Sequence, residues 1–319
     1  MGNADSESGL VPSASERNYG TPAPVTPSLR AALVASALLS FCVVLLGGFE
    51  TNIRLWSKLD SRHLAFAQSP LMTRGPRSVA ELLLVVLLVP GWYAWQTQRG
   101  YRRKGAVVCL VVAAVLAGLV AGATGFAGIT GTDIAAFHAV FGHVVFACIA
   151  AATAFAFTGT PETLNLIQPK AVFDSGFPLR SVALWIPLLV AAQLAMGAAY
   201  RHGQWGVLPH LIGAMIIAFL LFAESTLLLQ QVANHTMLRG AARINLAAVT
   251  TQVCLGFFDY LVRLLDFQNT LLWFALSLAH VTIGSLTFAA SIYLAIAIRF
   301  WVAAKSQPMP SPQSGNARR

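Results

Sequence analysis

Charged side chains are scarce in this chain. Asp, Glu, Lys and Arg make up 10% of its 319 residues and hydrophobic residues 56%, and the mean hydropathy is +0.67. This composition excludes a water-soluble domain, which needs a far more polar surface. Acidic residues are the scarcest, since 12 Asp and Glu stand against 21 Lys and Arg, a formal net charge of +9. The bases lie mostly in short segments between apolar runs, which predicts membrane topology rather than nucleic-acid binding.

Cysteine is also rare. The chain has four, all inside apolar runs: Cys42, Cys109, Cys148 and Cys254. None pairs with another in a loop. This pattern excludes a disulfide framework and a thiol redox motif, and it predicts small hydrophobic packing residues instead.

What the sequence does contain is a series of long apolar runs. A membrane-spanning helix needs about 20 apolar residues. Eight stretches qualify, at approximately 31–49, 78–97, 106–127, 134–158, 180–200, 207–230, 244–265 and 271–302. Open strands cannot satisfy their backbone groups in lipid. The sequence therefore predicts an all-α, polytopic integral membrane protein with eight transmembrane helices.

The segments outside these runs divide the chain into parts. Residues 1–30 and 303–319 are rich in small and polar residues and are predicted to be disordered cytoplasmic tails. Residues 159–179 are predicted to be a loop that connects an N-terminal four-helix half, 31–158, to a C-terminal four-helix half, 180–302.

Lys and Arg near the helix ends set the predicted orientation. Bases follow the second, fourth, sixth and eighth spans: Arg99, Arg102, Arg103, Lys104, Lys170, Arg180, Arg239, Arg243, Arg299 and Lys305. All of them fall on the side that holds both termini. The positive-inside rule therefore predicts that both termini are cytoplasmic, in the inner membrane.

One predicted external loop breaks this rule. Residues 50–77 connect the first two spans and contain Arg54, Lys58, Arg62, Arg74 and Arg77. Either these bases bind an anion such as a haem propionate, or the loop is solvated and tolerated because the other connections dominate.

Two histidines lie within the same repeated motif. Residues 138–147 and 280–289 both fit H-x-x-x-G-x-x-x-F-A, and 193–197 and 252–256 both fit Q-x-x-x-G. An intramembrane His is a functional hypothesis by default. A Gly one turn away removes side-chain bulk beside it, as an axial haem ligand requires. The repetition predicts two pseudo-symmetric four-helix bundles.

His210 and His280 are the strongest candidate pair. His210 opens the sixth span in L-P-H-L-I-G-A, where Pro209 suits a helix start, and His280 lies about nine residues into the eighth span. At about 1.5 Å rise per residue, both fall at similar depth in the outer half. Histidines from two helices of one bundle predict the axial ligands of a six-coordinate b-type haem. The alternative is core histidines hydrogen-bonded to neighbours.

The N-terminal half offers a less complete set. His138 lies in the fourth span, but the second span has no histidine to face it, and the third has only Ala114 and Gly118 at the Q-x-x-x-G spacing. His143, five residues further on, points to another side of the helix and is a candidate hydrogen-bonding group. His63 in the first loop is an alternative ligand. This half is predicted to hold a five-coordinate haem or a degenerate site.

Glu81 and His202 complete the candidates. Glu81 is the only acidic residue well inside the second span. It is either a proton donor or partner for an intramembrane Arg, or it snorkels to the boundary. His202 stands beside Arg201 between the fifth and sixth spans, where it either contacts a haem propionate or belongs to an interfacial loop.

These motifs resemble the haem A synthase family of cytochrome oxidase assembly proteins. The resemblance covers about residues 31–302 and rests on the paired four-helix halves, R-H-G before L-P-H-L-I-G-A, and A-H-V-T-I-G. It implies a structural b-type haem between His210 and His280. It also implies haem O near His138, oxidation of its C8 methyl to a formyl group, and partners such as haem O synthase or the terminal oxidase assembly.

The second span departs from the family pattern. Members carry E-H-x-H-R or similar, whereas residues 73–77 read T-R-G-P-R here, which keeps the Gly and Arg77 but loses the Glu and the histidines. Two alternatives therefore stand beside the enzyme: a non-catalytic haem b protein for electron transfer or assembly, and a cofactor-free transporter. The sequence predicts no oligomeric state.

Overall fold

The computed structural model describes residues 25–97, 101–125, 132–157, 179–231, 236–268 and 270–301. In these ranges there is no strand, and eight long helices follow one another. They are α1 (Pro27–Leu59), α2 (Pro70–Thr97), α3 (Tyr101–Gly125), α4 (Thr132–Phe157), α5 (Leu179–Arg201), α6 (Val207–Gln231), α7 (Thr236–Leu264) and α8 (Leu271–Trp301). A 3-10 turn, Ser61–His63, and a short helix, Leu64–Ala67, join α1 to α2.

Three predicted irregular segments fall mostly outside the described residues. These are the two tails and the connecting loop, at 1–24, 158–178 and 302–319. α1 already begins at Pro27, within the predicted N-terminal tail. Thr26 caps it by accepting a hydrogen bond from the N–H of Leu29, and proline suits the first helical position.

Seven of the helices are long and apolar enough to cross a membrane, namely α1, α2 and α4 to α8. α3 carries a shorter apolar stretch, Gly105–Leu119. Apolar side chains also cover the outside of the molecule. On α2, Val85, Leu88 and Trp92 are 61%, 61% and 68% exposed. Such continuous apolar exposure is stable only against lipid, so the chain is a polytopic helical membrane protein.

The predicted loop at 50–77 is helical for most of its length. α1 continues to Leu59 and α2 begins at Pro70. Charged residues lower the hydropathy of this segment, but they do not end a helix. The helix continues because its backbone hydrogen bonds and side-chain propensities still favour helical structure. Here the Arg54 guanidinium donates to the Glu50 carboxylate one turn earlier, at 2.8 Å, a spacing that stabilises a helix.

Asp60 is the C-cap residue of α1, and its N–H still donates to the Trp56 carbonyl at 2.9 Å. The Asp60 carboxylate then accepts from the backbone N–H and the guanidinium of Arg62. The Arg62 hydrogen bond lowers the pKa of Asp60 to about 2. Arg54 and Arg62, two bases of the predicted loop, thus have carboxylate partners of their own. For these two, the structure favours the solvated interpretation.

Helix contacts form two rings of four. α1, α2, α3 and α4 touch in order, and α4 closes back on α1. α5, α6, α7 and α8 do the same, and α8 closes back on α5. The first ring packs around Leu33, Leu83 and Ile149, and the second around Leu228 and Leu238. The rings meet where α8 lies against α1 and α4, and where α4 lies against α5.

The second ring also buries polar groups. Asn245 of α7 donates to the Ser225 hydroxyl of α6 at 3.0 Å, with both side chains buried. Next to Ser225, Glu224 is 1% exposed, and both its carboxyl oxygens lack a hydrogen-bond partner in the described part of the chain. A buried polar group without a partner costs the full free energy of removing it from water.

Replacing Glu224 with Leu is therefore expected to stabilise the protein by about 1–3 kcal/mol, the range for an unsatisfied buried polar group. Thermal unfolding in detergent, followed by circular dichroism, measures this as a higher midpoint. The matched control is Glu50→Leu, which removes a carboxylate that pairs with Arg54 and should not raise the midpoint. An unchanged or lower midpoint for Glu224→Leu would show that Glu224 has a stabilising partner.

Candidate functional site

His210 of α6 and His280 of α8 come together inside the second ring. Their imidazole centroids lie 6.3 Å apart and the ring planes are nearly perpendicular, at 89°. Both side chains are half-buried. The fold thus brings together two histidines that are 70 positions apart along the chain.

Each imidazole rests on a glycine of the preceding helix. A Cβ at Gly197 of α5 would lie 2.9 Å from His210 Cε1, and a Cβ at Gly256 of α7 would lie 2.7 Å from His280 Cε1. Any larger residue would collide with the ring. These glycines therefore create the space that the histidines occupy.

The glycine that follows each histidine has a different role from the predicted one. A Cβ at Gly213 would collide with the Gln193 side chain, and a Cβ at Gly284 would lie 3.0 Å from Gln252 Nε2. The space beside the histidine is therefore filled by a glutamine, rather than left clear for a ligand. The contacts within each helix pair are therefore reciprocal. The glutamine of the first helix packs on a glycine of the second, and the histidine of the second helix packs on a glycine of the first.

Both glutamines also contact the imidazoles. Gln193 Nε2 lies 2.9 Å from His210 Nδ1 and donates to the His210 carbonyl at 2.7 Å. Gln252 Nε2 lies 3.4 Å from His280 Nε2. The second nitrogen of the His280 ring, Nδ1, is buried and has no partner among the described residues. A buried imidazole nitrogen without a partner is costly unless a ligand completes it.

The distance between the two imidazoles, rather than free space beside them, is what suits a haem held by both. Metal–nitrogen bonds of about 2 Å on both sides of one ion separate two imidazole centres by roughly 6 Å, close to the observed 6.3 Å. The described residues contain no group of three or more His, Cys, Asp and Glu side chains able to hold a bare metal ion. Two facing histidines instead suit an iron that brings its own four equatorial nitrogens.

A cationic group lies at the end of the site where α7 ends and α8 begins. Arg263 donates to the Asp259 carboxylate at 3.0 Å, and its guanidinium lies over the rings of Tyr200 and Trp273, at 5.4–5.6 Å from their centroids. Arg263 and Asp259 thus form an ion pair near this end of the helices.

Arg201 ties the first ring of helices to this site. Its guanidinium donates to the Gly48 carbonyl at 3.2 Å and to the Asn52 side-chain oxygen, both on α1. Asn52 is fully buried, donates to the Phe274 carbonyl at 3.1 Å and accepts from the Ser277 hydroxyl at 3.3 Å. α1, α5 and α8 are thus joined by one polar network.

Replacing Asn52 with Leu is expected to destabilise the protein by about 2–3 kcal/mol, since a buried hydrogen bond to a charged group is lost and the Phe274 carbonyl loses its donor. Denaturation in detergent, monitored by tryptophan fluorescence, measures the free energy of unfolding. The control is Thr51→Leu, because the Thr51 hydroxyl bonds only to Gly47 within its own helix. Equal effects of the two substitutions would contradict a special role for the network.

His202 lies next to Arg201 and outside the apolar spans. Its Nε2 is buried without a partner in the described part of the chain. Burial lowers the pKa of His202, and the charges of Arg201 and Lys58 lower it further. His202 is therefore neutral at pH 7 and borders the cationic end of the site.

Of the N-terminal candidates, the structure describes the side chains of His143, Glu81 and His63. His143 is buried, and its Nδ1 donates to the Ala139 carbonyl at 2.6 Å. Glu81 is exposed and has no hydrogen bond or ion pair within the described residues. His63 stacks on Trp56, with ring centroids 3.9 Å apart. The side chains of His138 and Arg77 lie outside the described set.

The two rings differ at the glycine that lies four residues after the histidine of the repeated motif. A Cβ at Gly142 of α4, the counterpart of Gly284 in the histidine repeat, would meet nothing within 4 Å. The facing position of the Q-x-x-x-G spacing is Ala114 rather than glutamine. Gly142 also borders a small apolar cavity together with Ser40 and Ala117. Among the described residues, no side chain fills at Gly142 the space that Gln252 fills at Gly284.

Sequence reasoning found the histidines but not their supports. The Q-x-x-x-G repeat was visible, yet only as a helix-packing motif. Each Q-x-x-x-G motif is followed on the next helix by a histidine with a glycine one turn later, H-x-x-G or H-x-x-x-G. This pairing of motifs is the signal that could have identified Gln193 and Gln252 as neighbours of the imidazoles. Asn52 and Glu224 carried no comparable signal, because neither belongs to a motif that recurs elsewhere in the chain.

No family model and no curated protein sequence matches this chain. The case for its function therefore rests on the geometry of the site and on the motifs that carry the family resemblance.

Proposed function

We propose that this chain is a haem-binding membrane protein of the haem A synthase type, with a b-type haem held by His210 and His280. The observation that carries the proposal is the pair of facing imidazoles 6.3 Å apart, each seated on a glycine.

The proposed architecture consists of two halves with four membrane helices each. α3 crosses the membrane as well, which gives eight spans in all, and the two four-helix rings are pseudo-symmetric halves. Both termini are cytoplasmic, in the inner membrane, because the basic connections lie at that end. The reciprocal Gln–Gly and His–Gly contacts of α5 with α6 and of α7 with α8 support a repeated helix pair within the second ring, and the H-x-x-x-G-x-x-x-F-A motif at 138–147 and 280–289 links the two rings.

In this proposal the bound haem supplies reversible one-electron chemistry. The protein residues hold and shield it. Gln193 and Gln252 orient the imidazoles, and outer-shell contacts of this kind set ligand geometry. The surrounding apolar helices exclude water.

Haem extraction from the purified protein tests the proposal and its chemistry together. The protein is produced in cells that make haem B and haem O. Acidified-solvent extraction of the purified protein, followed by chromatography, identifies the haem that it carries. Haem B at about one per chain supports the proposed site. No haem, in a well-folded protein from haem-supplied cells, removes the proposal and leaves the cofactor-free transporter as the function to test.

Oxidation of the haem O C8 methyl is the second candidate. The unfilled space over Gly142 and the match of His138 to the family's fourth-span ligand favour it. The T-R-G-P-R stretch at 73–77 opposes it, because it lacks the family's Glu and histidines. Haem A or hydroxylated haem O in the extract would establish catalysis. Haem B alone would identify a non-catalytic electron carrier or assembly factor of the cytochrome oxidase system.

A further inference from the structure

An apolar groove of about 640 Å³ separates the two rings of helices. α1 and α4 form one wall, and α7 and α8 form the other. Its lining includes Ala150 and Ala290, and its rim is exposed at Phe157, Ala247 and Thr251. The groove therefore opens sideways toward lipid rather than toward water.

The dimensions of the groove suit one hydrocarbon chain. It extends along α4 from Phe146 to Phe157, a rise of about 16 Å at 1.5 Å per residue. One leaflet of a bilayer contributes roughly 15 Å of hydrocarbon, half of about 30 Å. A lipid chain that enters at one end of the groove would therefore reach its other end near the bilayer midplane.

Basic residues stand at one end of the groove. The Arg30 guanidinium lies 5.4 Å over the Phe157 ring, and its Nε donates to the Ala156 carbonyl at 3.2 Å. Arg243 is exposed on α7, one helical turn before the groove residue Ala247. Neither arginine has a carboxylate partner within the described residues. Arginines between membrane helices attract anionic lipid headgroups.

We infer that this groove binds one anionic phospholipid, with an acyl chain between the two rings and its phosphate at Arg30 and Arg243. The apolar lining accepts the chain, and the two unpaired cations select the headgroup. The lipid site and the proposed haem site share no residue, so each can fail without the other.

Native mass spectrometry of the delipidated full-length protein tests this site. Dioleoyl phosphatidylglycerol and dioleoyl phosphatidylcholine, which share their chains, are titrated separately. We expect one phosphatidylglycerol to bind first and more tightly. Arg30→Gln and Arg243→Gln should each weaken phosphatidylglycerol binding by about fivefold and leave phosphatidylcholine unchanged.

Filling the groove supplies the second test. Ala247→Trp and, independently, Thr251→Trp should remove the first bound lipid of either class. The matched control is Ala35→Trp, which places the same side chain on an exposed position of α1 outside the groove and should leave binding unchanged. Equal binding of the two lipids, or equal lipid binding by all three tryptophan variants, would overturn the inference and identify only ordinary annular lipid.

Discussion

Replacing either His210 or His280 with Ala is expected to abolish the low-spin b-type haem spectrum. Loss of an outer-shell contact to a metal ligand costs about 10- to 100-fold in affinity, so loss of an axial ligand should exceed about 100-fold. Single substitutions should therefore leave either no haem or a weakly held, five-coordinate high-spin form. Optical and electron paramagnetic resonance spectra of the purified variants distinguish these states.

His202→Ala is the matched control for both substitutions. His202 lies near the same end of the helices, but its ring is not part of the facing pair. This variant should retain the low-spin spectrum. A normal spectrum in His210→Ala or His280→Ala would show that the haem, if present, has other ligands.

Replacing Gly256 with Ala is expected to weaken haem binding by about 10- to 100-fold, although it adds only one methyl group. Alanine favours a helix over glycine by roughly 1 kcal/mol, so helix propensity predicts a more stable protein. The added Cβ would lie 2.7 Å from His280 Cε1, however, and it must push the imidazole away. Haem titration of the apoprotein measures the affinity, and thermal unfolding measures the stability separately.

Gly240→Ala is the control on the same helix, since a Cβ there meets nothing within 4 Å. It should gain stability and keep its haem affinity. If Gly256→Ala binds haem as tightly as Gly240→Ala does, the His280 ring does not need the position that the structure gives it.

Much of the fold could be predicted because hydropathy identifies lipid-facing helices directly. Seven predicted spans coincide with helices able to cross a membrane, and the predicted span at 106–127 overlaps α3, whose apolar stretch within the described residues is Gly105–Leu119. Helix ends were predicted less well. α7 begins at Thr236 rather than at 244, because arginines end an apolar run without ending a helix.

The candidate site could be predicted only in part, because hydropathy gives the position of a residue along a helix but not its neighbours. The depth of His210 and His280 follows from counting residues along two helices, so their meeting could be expected. The exchange of side chains between Gln193 and Gly213 depends on helix rotation, which hydropathy does not determine. The contact of Arg201 with Asn52 joins residues 149 positions apart in different halves, and a single sequence contains no periodic signal for such a contact.

The most direct test of the haem site is the reduced-minus-oxidised spectrum of the purified full-length protein from cells supplied with haem precursor. The facing imidazoles of His210 and His280 predict a six-coordinate low-spin b-type signal at about one haem per chain. A well-folded, monodisperse protein with no Soret band, before and after incubation with haem B, would contradict the account.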